Sequence, residues 1–291
     1  MAGKKDTRNP MLEAIAVKNN EGVRQFNPQA VKTTMADYFE NLYKSKDYPA
    51  HPYHQEVSNN IVIHNSNYEH ENARYNSEPT IEELAKVLKE KKNGKLTPDV
   101  KNEMLKRPGE AMINFLYPLI LTIWRLEETP KEWNTGHVTA LWKGKGDKED
   151  LMNYRGITTS SAIGTIIETM IDKRIESVVP FTQAQGGGKR GASTCDHLFL
   201  MRAIIEISKK QKRATFLTFY DVSKAYDNVD NCDMLHIMWN KGFRGKAWRI
   251  LQNLNKDLRA VVKTKHGPSR TIDMEIGGKQ GSRLTGRMFA K

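Results

Sequence analysis

The sequence predicts a helix-rich α+β fold from three observations. Apolar residues recur at helical spacing in several stretches, most strongly from Ile163 to Val178. Two pairs of β-forming runs flank short polar turns, as in antiparallel hairpins. Between these pairs, Thr215 to Tyr220 is a run of β-branched, aromatic and aliphatic residues that suits a buried strand better than a helix.

The predicted strand ends at Asp221, and residues 223–242 are predicted to form a helix that ends at Gly242. A carboxylate fixed at the end of a buried strand suits metal-dependent phosphoryl transfer, because a hard cation needs anionic oxygen ligands. The alternative is that Asp221 and Ser223 only cap the following helix. The residues alone leave both interpretations open.

The chain is strongly basic. Lys and Arg outnumber Asp and Glu by 46 to 34 in 291 residues, a net charge of +12. This excess favours a polyanionic partner, nucleic acid first and an anionic membrane second. The longest apolar run, Ala111 to Trp124, is too short to cross a membrane, and the first ten residues show no secretory signal. Cys195 and Cys232 give no disulfide framework, so we expect an intracellular protein of the cytoplasm or nucleus.

Residues 1–75 are expected to form a peripheral N-terminal extension. Within it, Val31 to Tyr43 is predicted to be an amphipathic helix. Residues 45–75 are polar and are predicted to be loop. Their histidines lack the spacing of a zinc site and are interpreted as loop residues: His51, His54, His64 and His70.

Two helices are predicted before the first hairpin. Thr80 and Glu83 form a capping-box pattern ahead of an apolar stripe, and Gly94 ends this helix. A second helix runs from Met112 to Arg125 and contains a proline, at which we expect a bend.

A basic hairpin is predicted over residues 137–160, with a polar, Gly-rich turn between its strands. Lys143, Lys145 and Arg155 lie near its arms. They could clamp a triphosphate, since Arg offers a fork of donors and Lys a mobile point charge. A solvated surface turn is the alternative.

Residues 183–194 form a glycine-rich loop that also carries cations. The glycines allow close approach of the backbone to a phosphate chain, although the GK[ST] ending of a nucleotide-binding P-loop is absent. Residues 186–213 carry seven Lys or Arg against two acids. They are expected to contact a sugar-phosphate backbone or, alternatively, to form a solvated helix face.

The last part of the chain predicts a helix, a hairpin and a glycine-rich segment. The hairpin strands are residues 259–265 and 270–276. Residues 277–291 are basic and free of acids, which suggests a loop against a ligand or a solvated tail. The preceding helix carries an apolar stripe: Trp248, Leu251, Leu254 and Leu258.

The order of these segments is more specific than any one of them. It runs from a hairpin with NYRGIT, through a long helix and QAQGGGKRGAST, to a strand with YDVSKAYD, a second hairpin and KQGSRLT. This order resembles the reverse transcriptase of non-LTR (LINE-type) retrotransposons and, more distantly, group II intron maturases. The resemblance covers about residues 76–291, and residues 31–43 look like the lead-in segment of such polymerases.

The resemblance implies a right-hand polymerase with fingers over residues 76–180 and further fingers with an incomplete palm over residues 181–291. Asp221 matches the first metal-binding aspartate, and the carbonyl of Val222 would help to hold the metal. Tyr226 matches the aromatic gate that excludes a ribose 2′-hydroxyl. The other implied nucleotide-binding residues are Lys143, Lys145, Arg155, Gln280 and Gly281. The implied nucleic-acid-binding residues along the template path are Gln185, Gly187, Lys189, Arg190 and Gly191.

The sequence also departs from the family pattern. The family has a further acidic pair soon after the QG segment, and none precedes Lys291. Two Mg²⁺ ions about 3.5–4 Å apart need converging carboxylates, so Asp221 alone implies an incomplete two-metal site. In addition, no glycine follows Asp99, SRLT replaces C-P-L-S, and Gly188 replaces the usual aromatic residue.

Two functions of different class follow from these observations. The first is a reverse transcriptase fragment that binds an RNA template, a DNA or RNA primer and a dNTP, and that is inactive alone. A second chain could supply the missing palm and thumb. The alternative is a retroelement-derived, non-catalytic module that binds RNA or protein; an inert basic fragment is the blandest interpretation.

Overall fold

The computed structural model describes residues 16–45, 52–66, 73–95, 97–182, 184–189, 191–279 and 282–290. Helices alternate with a mixed sheet, which confirms the α+β class. The helices are α1 (Pro28–Tyr43), α2 (Pro52–Asn65), α3 (Ile81–Glu90), α4 (Asn102–Lys106), α5 (Glu110–Leu126), α6 (Gly164–Val178), α7 (Thr194–Lys210), α8 (Asn231–Asn240), α9 (Lys246–Leu254) and α10 (Arg283–Ala290). The strands are β1 (Val17–Lys18), β2 (Arg24–Gln25), β3 (Thr135–Trp142), β4 (Tyr154–Thr159), β5 (Arg259–Thr264) and β6 (Gly267–Asp273).

The main sheet has the strand order β4-β3-β5-β6. β3 pairs antiparallel with β4 and parallel with β5, while β5 and β6 form an antiparallel hairpin. Both predicted hairpins are therefore confirmed. The second turn is tighter than predicted, with only Lys265 and His266 between the strands. Gly267 allows this because its φ of 102° lies in a region that side chains rarely adopt.

Helix α1 covers one face of the sheet. The predicted amphipathic helix is confirmed and begins at Pro28, where the side chain of Asn27 accepts the N–H of Gln29. Met35 and Phe39 are buried in a core shared with the strands. The sheet approaches closely, since a Cβ at Gly156 would lie 2.7 Å from the Phe39 ring. This packing holds α1 against the strands of the first hairpin.

The larger core is helical and is built around α6. Its predicted apolar stripe is confirmed, with Ile166, Ile167 and Met170 fully buried. Residues of α3, α5, α8 and α9 pack into the same core. Burial of this apolar surface supplies the main drive for folding, and it holds α6 against the surrounding helices.

Helix α3 begins as predicted but its cap is not reciprocal. The Thr80 hydroxyl accepts the N–H of Glu83. The Glu83 carboxylate instead pairs with Arg174 at 2.8 Å, and this guanidinium lies over the Trp124 ring at 4.1 Å. The Glu83 side chain therefore joins α3 to α6 and does not close a capping box.

The interpretation of the histidines in residues 45–75 as loop residues is wrong for residues 52–65, which form helix α2. The helix α2 lies there because Val57 and Ile61 are buried in the helical core. His64 stacks on Trp239 with 4.2 Å between ring centroids. Packing against α8 thus orders a segment whose own apolar pattern is weak. His51 and His70 lie outside the described residues.

The predicted strand over residues 215–220 is also wrong. The segment lies outside any helix or strand and is exposed along its length. A strand gains its backbone hydrogen bonds only from a neighbour, and no strand in the described ranges pairs with it. The helix expected from residue 223 begins only at Asn231. Its N-cap is Asp230, which accepts the N–H groups of Cys232 and Asp233, so the alternative of an Asp221 or Ser223 cap is wrong as well.

The last segment is ordered as helix α10, where a loop or solvated tail was predicted. Leu284 and Met288 are buried in the helical core. The Arg287 guanidinium pairs with Asp172, which is fully buried in α6. Apolar burial and this ion pair explain why the segment folds back onto α6.

Two further observations concern membrane-spanning helices and the cysteines. None of the helices in the described part of the chain is long and apolar enough to span a membrane. Cys195 and Cys232 are both free and exposed.

Candidate nucleotide and nucleic-acid site

The first hairpin presents its cations to solvent. Lys143, Lys145 and Arg155 are all exposed. The turn is shaped by Gly144 and Gly146, each with φ 81°. The Lys143 ammonium donates to the Met152 carbonyl at 2.7 Å, which orients it along the hairpin. Because these cations are solvated rather than buried in ion pairs, they are available to an anionic ligand.

A turn at residues 226–229 faces the segment that leads to the predicted QG pair. The Gly278 N–H donates to the Tyr226 carbonyl at 3.0 Å, and the Gly277 N–H donates to the Val229 carbonyl at 2.7 Å. Gly277 has φ 87°, and a Cβ there would lie 3.0 Å from the carbonyl oxygen of Asp227. A larger residue would thus push the two backbones apart.

Asp227 lies in this turn, and the sequence analysis missed it. Burial raises the pKa of its carboxyl group, while the charges of Lys224 and Lys143 act in the opposite direction. One carboxylate oxygen, Oδ1, is buried with no hydrogen bond among the described residues. Burial raises the pKa of Tyr43, and the charge of Asp227 raises it further. Asp227 is the second aspartate of the sequence YDVSKAYD, and this is the signal by which sequence reasoning could have found it.

Helix α10 brings Tyr226 and the glycine-rich loop to one place. The Tyr226 ring, 36% exposed, lies 4.8 Å from the Phe289 ring between centroids. A Cβ at Gly188 would come within 2.9 Å of the Ala290 Cβ. The same helix therefore touches the predicted sugar gate and the predicted template loop.

The loop itself is turned and largely exposed. The Gln185 amide donates to the Gly187 carbonyl at 3.0 Å, and Gly191 has φ 82°. Lys189 is exposed, and Arg190 lies outside the described residues. Such a loop offers backbone and cationic groups to a phosphate chain.

Both sides of the predicted QG pair are anchored to α6. Lys279 is only 4% exposed; its ammonium donates to the Trp133 carbonyl at 2.9 Å and lies 3.7 Å from Glu168. Burial lowers the pKa of Lys279, and the Glu168 charge opposes this. The Ser282 hydroxyl donates to Glu168 at 2.9 Å. Gln280 and Gly281 lie outside the described residues, but their flanks are fixed. Sequence reasoning missed Lys279, although it begins the KQGSRLT segment, and Glu168, because the importance of both comes from burial and contacts that the sequence pattern does not show.

Asp221 and Val222 lie on the exposed segment, where Val222 is 67% exposed. The described ranges contain no group of three or more His, Cys, Asp or Glu residues that could hold a metal. One solvated carboxylate does not fit a two-metal centre, which needs converging ligands. We therefore assign no step of a reaction to a metal held by these residues.

Two comparisons with known proteins bear on the family of the chain. The family described as reverse transcriptase (RNA-dependent DNA polymerase) matches residues 145–287. The retrovirus-related Pol polyprotein from type-1 retrotransposable element R2 of Popillia japonica is 27% identical over 161 residues. The match covers 55% of this chain and 22% of that polyprotein, so the chain spans about a fifth of the length of the relative.

Residues 145–287 form part of a reverse transcriptase domain. This domain is of the type found in non-LTR retrotransposons, as the likeness to the R2 polyprotein supports. The resemblance stated from the sequence is confirmed. The family match begins within the first hairpin, so residues 76–144 lie outside it.

Proposed function

We propose that the chain is the fingers and the first part of the palm of an RNA-directed DNA polymerase from a non-LTR element. In this role it binds an RNA template, a primer and a dNTP. One observation carries the proposal: the segment that flanks the QG pair is hydrogen-bonded to the turn that contains Tyr226, while Lys143, Lys145 and Arg155 stay exposed on the first hairpin. Lys145, Arg155, the turn and the segment lie within the reverse transcriptase match, and Lys143 lies just before it.

The proposed roles follow the chemistry of each group. Lys143, Lys145 and Arg155 bind the triphosphate, because their exposed cations lie on one hairpin. Tyr226 limits the sugar to a deoxyribose. Gln280 and Gly281 lie beside the templating base. The template backbone runs along the loop that contains Gln185, Gly187, Lys189, Arg190 and Gly191.

We further propose that these residues alone do not extend a primer. Polymerases of this family generally use divalent metal ions, and Mg²⁺ would be held by Asp221 and Val222 only with carboxylates from further polypeptide. The exposed helix α7 and the exposed segment over residues 213–222 support this view. A second chain or a longer polypeptide would cover them and complete the palm and thumb.

Nucleotide binding tests the proposal. The double variant Lys143→Ala/Arg155→Ala should weaken dNTP binding roughly tenfold or more, since it removes two charge-assisted contacts. Lys86→Ala/Lys241→Ala, which removes two exposed cations outside the site, should change it by less than about twofold. Titration of a fluorescent dNTP measures both. Equal losses in the two variants would contradict the assigned clamp.

Salt dependence and primer extension test the remaining parts. Affinity for a template–primer should fall at least about tenfold between about 50 and about 200 mM salt, as phosphate-dominated binding does. Salt-insensitive binding would count against a nucleic-acid groove. The isolated chain with Mg²⁺ should incorporate no dNTP; incorporation abolished by Asp221→Asn would show that the chain is active alone.

The alternative function is a non-catalytic module that binds RNA or protein. The exposed Asp221 and the absence of a metal-binding cluster in the described part of the chain favour it. Such a module would bind RNA without any dependence on dNTP. A binding experiment with RNA at increasing dNTP concentration separates the two functions.

A further inference from the structure

Helix α5 presents an uncharged stripe of residues to solvent, which we call the α5 stripe. Its members recur at the spacing i, i+4, i+7, i+8, i+11 and i+15, which places them on one helix face about 100° wide. Three are large apolar side chains: Phe115 is 74% exposed, Leu126 64% and Leu119 36%. The other three are exposed as well, and they are Ala111, Pro118 and Thr122. Because the opposite face of α5 is buried in the helical core, the stripe is a second apolar face of the same helix.

The polar groups in and beside the α5 stripe already have partners. Pro118 has no backbone N–H, and its carbonyl accepts the Thr122 hydroxyl at 2.9 Å. Beside the stripe, the Arg125 guanidinium donates to both carboxylate oxygens of Glu78, at 2.6 and 3.0 Å. A surface that covers the stripe therefore removes apolar area from water without leaving these groups unpaired.

Two residues of opposite charge mark the two ends of the α5 stripe. Arg107 stands just before α5 and Glu128 just after it, and both are exposed. Within the described residues neither of them forms a salt bridge. A partner that fits the stripe should therefore carry a negative group at the Arg107 end and a positive group at the Glu128 end. A second copy of α5, laid antiparallel on the first, has its charges in this order.

The α5 stripe is also complementary to itself in size. If a two-fold axis passes between positions 118 and 119, each residue faces the one at an equal distance on the other side of the axis. The facing pairs then join a larger side chain to a smaller or more compact one: Phe115 with Thr122, Leu126 with Ala111, and Leu119 with Pro118. Such alternation allows two helices to approach to about 8–10 Å between their axes.

We propose that two copies of this chain associate through antiparallel α5 stripes, with Arg107 of each copy beside Glu128 of the other. A helix of 17 residues is about 25 Å long, so the pair buries less than a standard interface. We expect a dissociation constant of about 10 μM. The α5 stripe lies outside the residues matched by the reverse transcriptase family, and the dimer goes beyond the proposed function without depending on it.

Sedimentation velocity of the whole chain, from about 1 to about 200 μM, measures the association. The stripe variant is Phe115→Glu. Its matched control is Phe199→Glu, because Phe199 is 73% exposed and also lies on a helix of 17 residues, α7. The charge variants are Arg107→Glu and Glu128→Arg, each alone and in an equal mixture of the two proteins. Thermal unfolding of each variant confirms that it folds.

We expect Phe115→Glu to weaken the dimer at least about tenfold, because it places two charges in the interface. The Phe199→Glu control should stay within about twofold of the wild type. Each charge reversal alone should weaken the dimer about threefold, since like charges then meet at both ends. The mixture should associate within about twofold of the wild type, because each reversed residue then faces the opposite charge on the other copy.

Three results would overturn the proposal. A wild-type chain that stays monomeric at about 200 μM would mean that something other than a second copy covers the stripe. Equal losses in Phe115→Glu and Phe199→Glu would place the contact elsewhere. A mixture of the charge variants that associates no more tightly than either alone would exclude the antiparallel arrangement. Binding of dNTP is assigned to the first hairpin, which has no residue in the stripe, so failure of the dimer and failure of the proposed function are distinguishable.

Discussion

The helical core around α6 differs sharply from residues 194–222, which comprise helix α7 and the exposed segment that follows it. Both regions carry many large apolar side chains. In the core, Ile166 and Ile167 are at most 1% exposed. In the exposed segment, Phe216 and Tyr220 are each 91% exposed, and α7 has no buried residue. The family match covers both α6 and residues 194–222. Likeness of sequence therefore does not by itself provide the partners that an element needs for packing.

The difference shows which hydrogen-bond partners each kind of element needs from the rest of the chain. A helix closes its hydrogen bonds internally, and a hairpin carries both of its strands. The stretch over residues 215–220 is a single strand candidate, so it needs a neighbour from elsewhere. Exposed strand-forming backbone is a template for pairing with another chain. This is the physical basis for our proposal that further polypeptide covers the segment.

The largest loss in the free energy of unfolding is expected for a substitution in the core. Ile166→Ala should lower the free energy of unfolding by about 4 kcal/mol, because the side chain is fully buried and the helices relax only partly around the cavity. Urea denaturation followed by circular dichroism measures this loss. A loss below about 1 kcal/mol would show that the core is not packed as described.

The second effect concerns α10, which ties the site to the core. Arg287→Met should lower the free energy of unfolding by about 3 kcal/mol, because Asp172 is buried and loses its guanidinium partner. The double variant Asp172→Asn/Arg287→Met should recover part of that loss, since no uncompensated charge remains. Urea unfolding of Arg287→Met, Asp172→Asn and the double variant checks the coupling. A double variant that only adds the two single losses would argue against the pair.

The sequence predicted the elements whose partners are local. The amphipathic helix ending at Tyr43, the hairpin with Arg155 and the stripe of α6 are all confirmed. The strand over residues 215–220 failed because its partner is not local in sequence, and α2 was missed because α8 supplies the packing that its own weak pattern lacks. Long-range pairing was not visible in the pattern of either segment.

Predictions for the candidate site divide in the same way, between residues that a local sequence pattern marks and residues whose role depends on distant contacts. Lys143 and Tyr226 were predicted from the sequence, and the structure places Tyr226 against the segment before the QG pair through the Gly278 N–H. Lys279 was not found, because its importance comes from burial against Trp133. The placement of Asp221 relative to Arg155 and Gln280 remains a prediction, since Gln280 lies outside the described residues.

A smaller effect on the free energy of unfolding depends on pH and comes from Lys91, whose ammonium is mostly buried. Burial, assisted by the nearby charge of Lys95, lowers the pKa of Lys91 to about 8 from its ordinary 10.5. The unfolded state thus binds this proton more tightly, so stability from this group is gained as the pH rises from about 8 to about 10.5. The gain should be about 1–3 kcal/mol. Unfolding of wild type and Lys91→Met at about pH 7.5 and about pH 10 measures the difference in slope; parallel slopes would contradict a buried ammonium.

The smallest effect is expected in the exposed segment. Phe216→Ala and Tyr220→Ala should each change the free energy of unfolding by less than about 0.5 kcal/mol, because both rings are almost fully solvated. The same urea experiment as for Ile166→Ala makes the comparison direct. A loss above about 2 kcal/mol at either position would mean that the segment is packed in solution, for instance against a second copy of the chain. Repeating the measurement over a range of protein concentrations distinguishes these cases, because only association makes the loss depend on concentration.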